Sequence, residues 1–395
     1  MKKITATYIF LPTQSNAFEA TQNKVIVFDK DGVIHTIDDM EMHDPTSVVH
    51  HKGVLVPGFI NAHCHLELSH MKGKVATGTS LIPFLYEVVN FRDVAEEEIM
   101  DAIAKADEEM YRAGIVAVGD ISNKLHTKAQ KEKSKIHYYT FVEMFDFMQA
   151  EWAAAEFEKY LPIYEKQAVG AGNKKSAVPH APYTVSKSLF QKINTLNDEE
   201  ATVSIHNQET PPEDELFRYK KGAFLDFYKK FNIPLTNFSA SGKTAIHYSM
   251  ENMNPQCRNL FVHNTLTDAE DIRAAQKWSR RVFWATCPNA NLYIENRLPN
   301  YRHFLNEKAK ICIGTDSLTS NWQLSILEEM KTIARFQSYI PFETLLRWAT
   351  INGAEALGYE EQLGSIAIGK SPGLNLLNMD ESFQLKPDTV VERII

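Results

Sequence analysis

The sequence predicts an α/β chain, with a (β/α)8 barrel over residues 54–359 and a small β-sandwich that residues 1–53 and 360–395 form together. In the central part, short apolar runs alternate with longer amphipathic stretches, which is the pattern of repeated βα units. Both ends are rich in β-branched residues and turns, and neither is long enough to bury a core alone. The chain has 395 residues, 44% apolar and 23% charged, which indicates a packed core rather than disorder.

Eight apolar runs are the predicted barrel strands, because eight strands alternating with helices over about 300 residues are typical of this barrel. In chain order they are VLVPGFI (54–60), GIVAVGD (114–120), HYYTFVEMF (137–145), AVPHAPY (177–183), TVSIH (202–206), NLFVHN (259–264), RVFWATC (281–287) and KICIGTD (310–316). The terminal β runs are ITATYIF (4–10), KVIVFD (24–29), GVIHTI (32–37), SIAIG (365–369) and LNLLNM (374–379).

Amphipathic stretches between the strands predict helices, of which 95–114 and 268–281 are the best marked. In the first, apolar residues at 99, 103, 106 and 110 share one helix face, and Gly114 is a suitable C-terminal cap. The basic run KAQKEKSK (128–135) is expected to be a solvated helix face rather than a binding patch.

Composition excludes several classes of protein. With 42 basic and 50 acidic residues the net charge is −8, so no basic face for a nucleic-acid or anionic-membrane partner is expected. The four cysteines include no C-x-x-C pair, which argues against a disulfide framework and favours a reducing compartment. No apolar run is long enough for a signal peptide or a membrane span, so a cytoplasmic location is expected.

Histidines and one aspartate lie at the carboxyl ends of the predicted strands, where the active sites of such barrels are found. His63 and His65 are two residues apart on a strand, so both side chains can reach one ion while Cys64 faces away. A single histidine is usually an ordinary hydrogen-bonded residue, but several at different strand ends indicate a shared site. The others are His180, His206, His263 and Asp316.

Imidazole nitrogens with one carboxylate are a ligand set that suits zinc with an open position for water. Zinc lowers the pKa of bound water to about 7, so such a site needs a nearby group that shuttles protons. Glu209, three residues after His206, is the candidate; otherwise it is a surface glutamate in the acidic segment 209–215.

Six motifs, in order, resemble the amidohydrolase superfamily. VLVPGFINAHCHLELS (54–69) is similar to its first-strand signature. PHAPYTVS (179–186), SIHNQET (204–210), FVHNTL (261–266), CPNANL (287–292) and IGTDSLTSN (313–321) resemble later stations of its aminohydrolase branch. That branch includes adenosylhomocysteine, methylthioadenosine and aminodeoxyfutalosine deaminases, guanine deaminase and triazine chlorohydrolases. The segment GSIAIGKSPGLNLL (364–377) is similar to the closing strand of the family.

The resemblance implies a role for each matching residue. It implies one Zn²⁺ per chain, with Fe²⁺ as the alternative, because no lysine that could bridge two metals lies in strands three and four. His263 would orient the nucleophile, Asp316 would both ligate and accept a proton, and Glu209 would protonate the ring nitrogen and assist the departure of ammonia. The implied metal ligands are His63, His65, His206 and Asp316, and the implied substrate contacts are His180 and Asn291.

The run His65-Leu66-Glu67-Leu68-Ser69 bears on the substrate. The run H-x-H-x-E-x-S resembles the aminodeoxyfutalosine deaminases, and this resemblance implies that Glu67 contacts substrate. The alternative is that Glu67 caps a loop or pairs with a basic residue elsewhere. We therefore expect deamination of an adenine-nucleoside-like small molecule, of the aminodeoxyfutalosine type first and the adenosylhomocysteine or methylthioadenosine type next. The alternatives are guanine deamination, dehalogenation or cyclic amide hydrolysis on the same scaffold, and a non-catalytic barrel serving in assembly. A homodimer is common in the family.

Overall fold

The computed structural model describes residues 1–15 and 17–395, which contain fifteen strands. These are β1 Lys2–Pro12, β2 Phe18–Thr21, β3 Lys24–Phe28, β4 Ile34–Asp39, β5 Val49–Pro57, β6 Phe59–Cys64, β7 Ile115–Ile121, β8 His137–Met144, β9 Lys174–Pro179, β10 Thr202–Asn207, β11 Arg258–His263, β12 Val282–Thr286, β13 Ile311–Ile313, β14 Leu374–Leu377 and β15 Val391–Arg393.

Fourteen α-helices connect or follow these strands in the same described residues. They are α1 Leu81–Phe91, α2 Glu96–Arg112, α3 Lys128–Lys133, α4 Ala153–Lys166, α5 Lys187–Leu196, α6 Pro211–Tyr219, α7 Ala223–Lys230, α8 Ala245–Asn252, α9 Ala269–Trp278, α10 Pro288–Glu295, α11 Tyr301–Asn306, α12 Ile326–Phe336, α13 Phe342–Ala349 and α14 Ile351–Leu357. Short 3₁₀ helices span Met40–Met42, Pro45–Ser47, Leu66–Met71 and Pro182–Thr184. None of the helices in the described ranges has the length and apolar character that crossing a bilayer requires.

The central strands form two four-stranded parallel sheets, ordered β6-β7-β8-β9 and β10-β11-β12-β13. The edges of the two sheets approach each other at two places, which we call the seams. At the first seam, the backbone N–H of His206 donates to the carbonyl of His180 at 3.0 Å. At the other, the N–H groups of Thr315 and Asp316 both donate to the carbonyl of His63 at 3.0 Å. The parallel α/β arrangement is confirmed, whereas the described residues carry no continuous ladder across either seam.

The terminal segments form one seven-stranded sheet ordered β15-β14-β5-β1-β3-β4, with β2 paired to β1. The predicted two-layer β-sandwich is therefore not confirmed for these strands. One face of the sheet, with Phe10, Val54 and Val56, packs into the main core, so that no second sheet is needed to cover it. The other face carries a smaller apolar cluster that includes Ile26 and Leu55.

The first predicted barrel strand is divided in the structure. VLVPGFI spans the end of β5 in the terminal sheet, Gly58, and the start of β6 in the first parallel sheet. A Cβ at Gly58 would lie 2.3 Å from Val116 Cγ1 and 2.6 Å from the Pro372 carbonyl oxygen, so the chain changes sheets where only glycine fits. The segment's continuous apolar character, which reflects burial in both sheets, hides this division.

Helix α3 differs from its predicted solvated face at one position. Lys128 and Lys133 lie on the surface as expected, but Lys131 is 1% exposed. Its charged end is turned inward between strands β7 and β8, where its amino group contacts Asp120, Ser122 and Thr140.

Gly114 ends the first predicted helix as expected. Helix α2 stops at Arg112, and Gly114 has a φ of +79°, the left-handed conformation that closes many helices. Its carbonyl accepts hydrogen bonds from the N–H of Phe59 and from Asn375 Nδ2, both at 2.9 Å. Gly114 therefore joins the first parallel sheet to the terminal sheet.

Replacing Gly114→Ala is expected to lower the free energy of unfolding by about 2–4 kcal/mol, because a Cβ would sit 2.4 Å from Asn375 Nδ2 as well as in left-handed backbone. Gly73→Ala is the matched control: Gly73 has a φ of +72° with nothing within 4 Å of its added Cβ, so only the backbone cost of about 1 kcal/mol applies. Urea unfolding of both variants measures the difference, and equal losses would contradict the contact with Asn375.

Candidate metal-dependent active site

Four side chains converge where the two sheets meet. They belong to His63 and His206, at the ends of β6 and β10, and to His65 and Asp316, which follow β6 and β13. His63 Nε2 lies 3.2 Å from His65 Nε2, and His65 Nε2 lies 3.4 Å from His206 Nε2. Asp316 Oδ1 lies 3.3 Å from His65 Nε2 and 3.6 Å from His63 Nε2. The structure thus brings together all four predicted metal ligands.

The spacing and chemistry of these donors fit a zinc-sized ion. Ligand atoms about 2.05 Å from a tetrahedral zinc lie about 3.3 Å from each other, which matches the separations given above. Burial lowers the pKa of His65 to about 3 and that of His206 well below its usual value, so both rings are neutral near pH 7. Neutral imidazoles that face each other in this way present lone pairs to a shared cation.

Contacts behind the ligands fix their orientation. His206 Nδ1–H donates to the carbonyl of His180 at 2.8 Å, which leaves Nε2 free to ligate. Ser320 Oγ donates to Asp316 Oδ2 at 2.5 Å, so the other oxygen of that carboxylate faces the histidines. Asp316 has a φ of +58° and His263 a φ of +71°, conformations that non-glycine residues rarely adopt and that often occur at functional sites.

His263 lies beside the ligand cluster. A ring nitrogen of His263 lies within 4.8 Å of ligand atoms of His63 and Asp316. Its Nδ1–H donates to Asn291 Oδ1 at 2.9 Å, and its Nε2 lies 3.7 Å from Glu209 Oε2. Asn291 is 1% exposed and its amide oxygen faces His263, while its expected contact with substrate stays a prediction.

Glu209 is a buried residue of the site rather than a surface glutamate. It is 4% exposed, and burial followed by the charge of Asp316 raises its pKa well above the usual value. Glu213, another member of the acidic segment, accepts from the N–H groups of Gln208 and Glu209, both at 3.0 Å. Glu213 therefore holds the backbone on which Glu209 is placed, a role that the acidic pattern did not reveal.

A cleft opens above this cluster, with polar groups at its base and apolar walls. His180 and Glu67 both line it, as expected for substrate contacts. Glu67 Oε2 also accepts from the N–H groups of Asn123 and Lys124, at 3.0 and 3.2 Å, so the loop-capping interpretation holds as well. The apolar wall consists of Leu68, Leu81, Phe84, Leu85, Val88, Val89, Phe145, Phe147, Tyr183, Phe227 and Ile294.

Glu143 is the residue of the cleft that sequence reasoning missed. It is 4% exposed, its Oε1 lies 3.5 Å from His206 Nδ1, and its Oε2 accepts from Asn123 Nδ2 at 3.3 Å. Burial raises the pKa of Glu143 to about 8. A single acid inside the otherwise apolar run FVEMF was the available signal, because a buried strand rarely carries one without a function.

Comparisons with known proteins agree with this geometry. The sequence profile of the Amidohydrolase family matches residues 54–394, most of the chain. The chain belongs to the amidohydrolase family. The resemblance drawn from the six motifs is thereby confirmed.

Several relatives in the family are deaminases by name. The adenosine deaminase of Helicobacter pylori is 28% identical over 338 residues, covering 84% of this chain and 80% of that protein. The aminodeoxyfutalosine deaminase of a Nitratiruptor species is 26% identical over 390 residues, covering 95% and 92%. The crystal structure of Helicobacter pylori aminofutalosine deaminase in complex with methylthio-coformycin has a TM-score of 0.83 at 25% identity, and covers 100% of both chains.

The predicted class of enzyme follows from these findings. This amidohydrolase is a hydrolase that acts on C–N bonds other than peptide bonds. Its clustered histidines and carboxylates could hold a divalent metal ion.

The pH dependence of stability tests the neutral state of the buried histidines. Burial lowers the pKa of His180 to about 4, against 6.5 in the unfolded chain, so the unfolded state binds the extra proton between these values. The contribution of His180 to the free energy of unfolding is therefore fully present above pH 6.5 and is lost as the pH falls towards 4. In metal-free protein, His180→Gln should flatten the decline of unfolding free energy by up to about 1.4 kcal/mol per pH unit in that window.

Chemical denaturation between pH 7 and 4.5 measures this slope. The exposed His50→Gln variant controls for the loss of an imidazole from the surface. A His180→Gln slope identical to that of the unmodified protein would contradict a buried neutral His180.

Proposed function

We propose that the chain is a zinc-dependent deaminase that releases ammonia from an adenine-nucleoside-like substrate. The observation that carries the proposal is the buried cluster of His63, His65, His206 and Asp316, with Glu209 Oε2 3.7 Å from His263 at the base of an apolar cleft. The names of the relatives support this reaction class. The two parallel sheets would close into the (β/α)8 barrel of residues 54–359, with the terminal segments 1–53 and 360–395 as the accessory β domain.

One metal ion fits the donor set. His63, His65, His206 and Asp316 would hold Zn²⁺, with Fe²⁺ as the alternative ion for the same nitrogen and oxygen donors. The ion would supply Lewis-acid activation of a water molecule near neutral pH.

The remaining residues would move protons and orient the reactants. Asp316 would take a proton from the attacking water through its inward oxygen. His263, held by Asn291, would hydrogen-bond the added oxygen and keep it aligned with the amino-bearing carbon. Glu209, whose pKa is raised by burial, would give its proton to the adjacent ring nitrogen. It would then take the proton of the added hydroxyl as the ring carbonyl forms and pass it to the leaving amine. The proton held by Asp316 would finally return to Glu209, so that both carboxyl groups regain their starting state. Substrate and water thus become the ring carbonyl product and ammonia.

The cleft and the relatives support the proposed substrate class. An apolar cleft with a few polar groups suits a flat heteroaromatic base with its sugar, and His180 and Glu67 lie where they could contact it. We favour an aminodeoxyfutalosine-type substrate over the adenosylhomocysteine and methylthioadenosine types. The H-x-H-x-E-x-S run and the full-length similarity to the aminofutalosine deaminase structure support this order.

Glu209→Gln tests the proton shuttle. The amide keeps the shape of the side chain but cannot exchange a proton, so kcat should fall by at least about 100-fold while metal content is unchanged. Glu199→Gln, an exposed change of the same type, is the control and should behave as the unmodified enzyme. Deamination by Glu209→Gln within a few-fold of normal would contradict the role.

Ammonia release across a panel of purine compounds tests the substrate class. Adenosine, methylthioadenosine, adenosylhomocysteine, guanine and aminodeoxyfutalosine are compared by kcat/KM, with the absorbance shift of the base as a second readout. We expect turnover of the aminopurine nucleosides with aminodeoxyfutalosine highest. Activity confined to guanine would contradict the proposal. So would no turnover of the panel together with chloride release from a chlorinated triazine or ring opening of a cyclic amide, measured separately.

A further inference from the structure

A buried ion pair contacts the chain segment that carries the predicted ligand His65. Lys131 Nζ is 2.6 Å from Asp120 Oδ2, and both side chains are 0% exposed. Asp120 lies on β7 and Lys131 on α3, the short helix that follows it. Neither residue lines the cleft, so neither is a substrate contact.

The polar groups of this pair are matched to their partners. The three N–H bonds of the Lys131 ammonium meet three acceptors: Asp120, Ser122 Oγ at 3.0 Å and Thr140 Oγ1 at 2.9 Å. Ser122 Oγ also donates to Asp120 Oδ2 at 3.1 Å. Burying two charges is costly, and apolar residues of similar volume often stabilise a fold at least as well. The pair therefore calls for an explanation other than stability.

The second oxygen of Asp120 supplies one. Asp120 Oδ1 accepts from the backbone N–H of Leu66 at 2.7 Å. Leu66 directly follows the predicted ligand His65 and opens the 3₁₀ helix Leu66–Met71, which has no side-chain cap from its own first residues. Asp120 thus satisfies an N–H at the helix start that would otherwise lack a partner.

We propose that Asp120, the buried partner of Lys131, is a positioning residue that fixes the backbone at Leu66 and so places His65 for metal binding. The inference rests on the metal site in the proposed function. The chain leaves β6 at Cys64, so His65 lies beyond the regular strand and depends on this hydrogen bond for its place. A displacement of about 0.5 Å is enough to degrade a constellation of this kind.

Two double variants separate the acceptor from the charge. Lys131→Met with Asp120→Asn removes both charges but keeps an amide oxygen for the Leu66 N–H. Lys131→Met with Asp120→Ala removes both charges and the acceptor. Lys133→Met, on the exposed side of the same helix, is the control. Thermal unfolding of the metal-free forms by circular dichroism reports whether each variant folds.

Cobalt(II) binding is the readout, followed through its visible absorption and by competition with a chelator. We expect the Asp120→Asn, Lys131→Met variant to bind Co²⁺ within about 3-fold of the unmodified protein. The Asp120→Ala, Lys131→Met variant should bind about 10- to 100-fold more weakly and give an altered spectrum. If the Asp120→Ala, Lys131→Met variant does not fold, Asp120→Val with Lys131→Met replaces it, because valine fills the space better. The same weakening of Co²⁺ binding is expected.

Three outcomes would overturn the inference. Equal Co²⁺ affinity in all variants would mean that Asp120 has no positioning role. Equal weakening in the two double variants would mean that loss of the acceptor for the Leu66 N–H does not cause the weaker binding. Failure of the unmodified protein to bind Co²⁺ at all would instead contradict the metal site itself, and the inference with it.

Discussion

The mutual approach of three imidazoles and one carboxylate is the constraint on which the rest of the site depends. The measured separations between their ligand atoms are 3.2–3.6 Å, which matches the spacing of donors around one tetrahedral zinc ion. Burial keeps the rings neutral, and the hydrogen bond from His206 Nδ1–H to the carbonyl of His180 leaves Nε2 of that ring facing inward. A divalent cation held by these four groups would link metal binding to the folding of both sheets.

The two seams between the parallel sheets bring the site residues together. His63 and Asp316 meet at one seam and His180 and His206 at the other, so backbone hydrogen bonds between the sheets also set the distances between site residues. Left-handed backbone at His263 and Asp316 turns the chain away from the strands while the side chains stay in the site. Glu213 and Asp120 support the neighbouring backbone from below.

Sequence reasoning predicted most of the strands and all of the clustered histidines, because strand periodicity and strand-end position are local properties. It was wrong about Val54–Gly58, where continuous burial in two different sheets looks like one strand. The sandwich is not confirmed, because the terminal strands form one sheet whose inner face packs on the main core. It also missed Glu143 and Lys131. Both are ionisable residues whose burial depends on partners in other elements of the fold, and neither strand nor helix periodicity encodes such partners.

The metal content of the purified protein tests the central claim most directly. Elemental analysis after dialysis should give about one zinc or iron per chain, and His206→Ala should reduce it to near zero while the exposed His50→Ala leaves it unchanged. Two metal ions per chain, or full occupancy in His206→Ala, would contradict a single site built from His63, His65, His206 and Asp316.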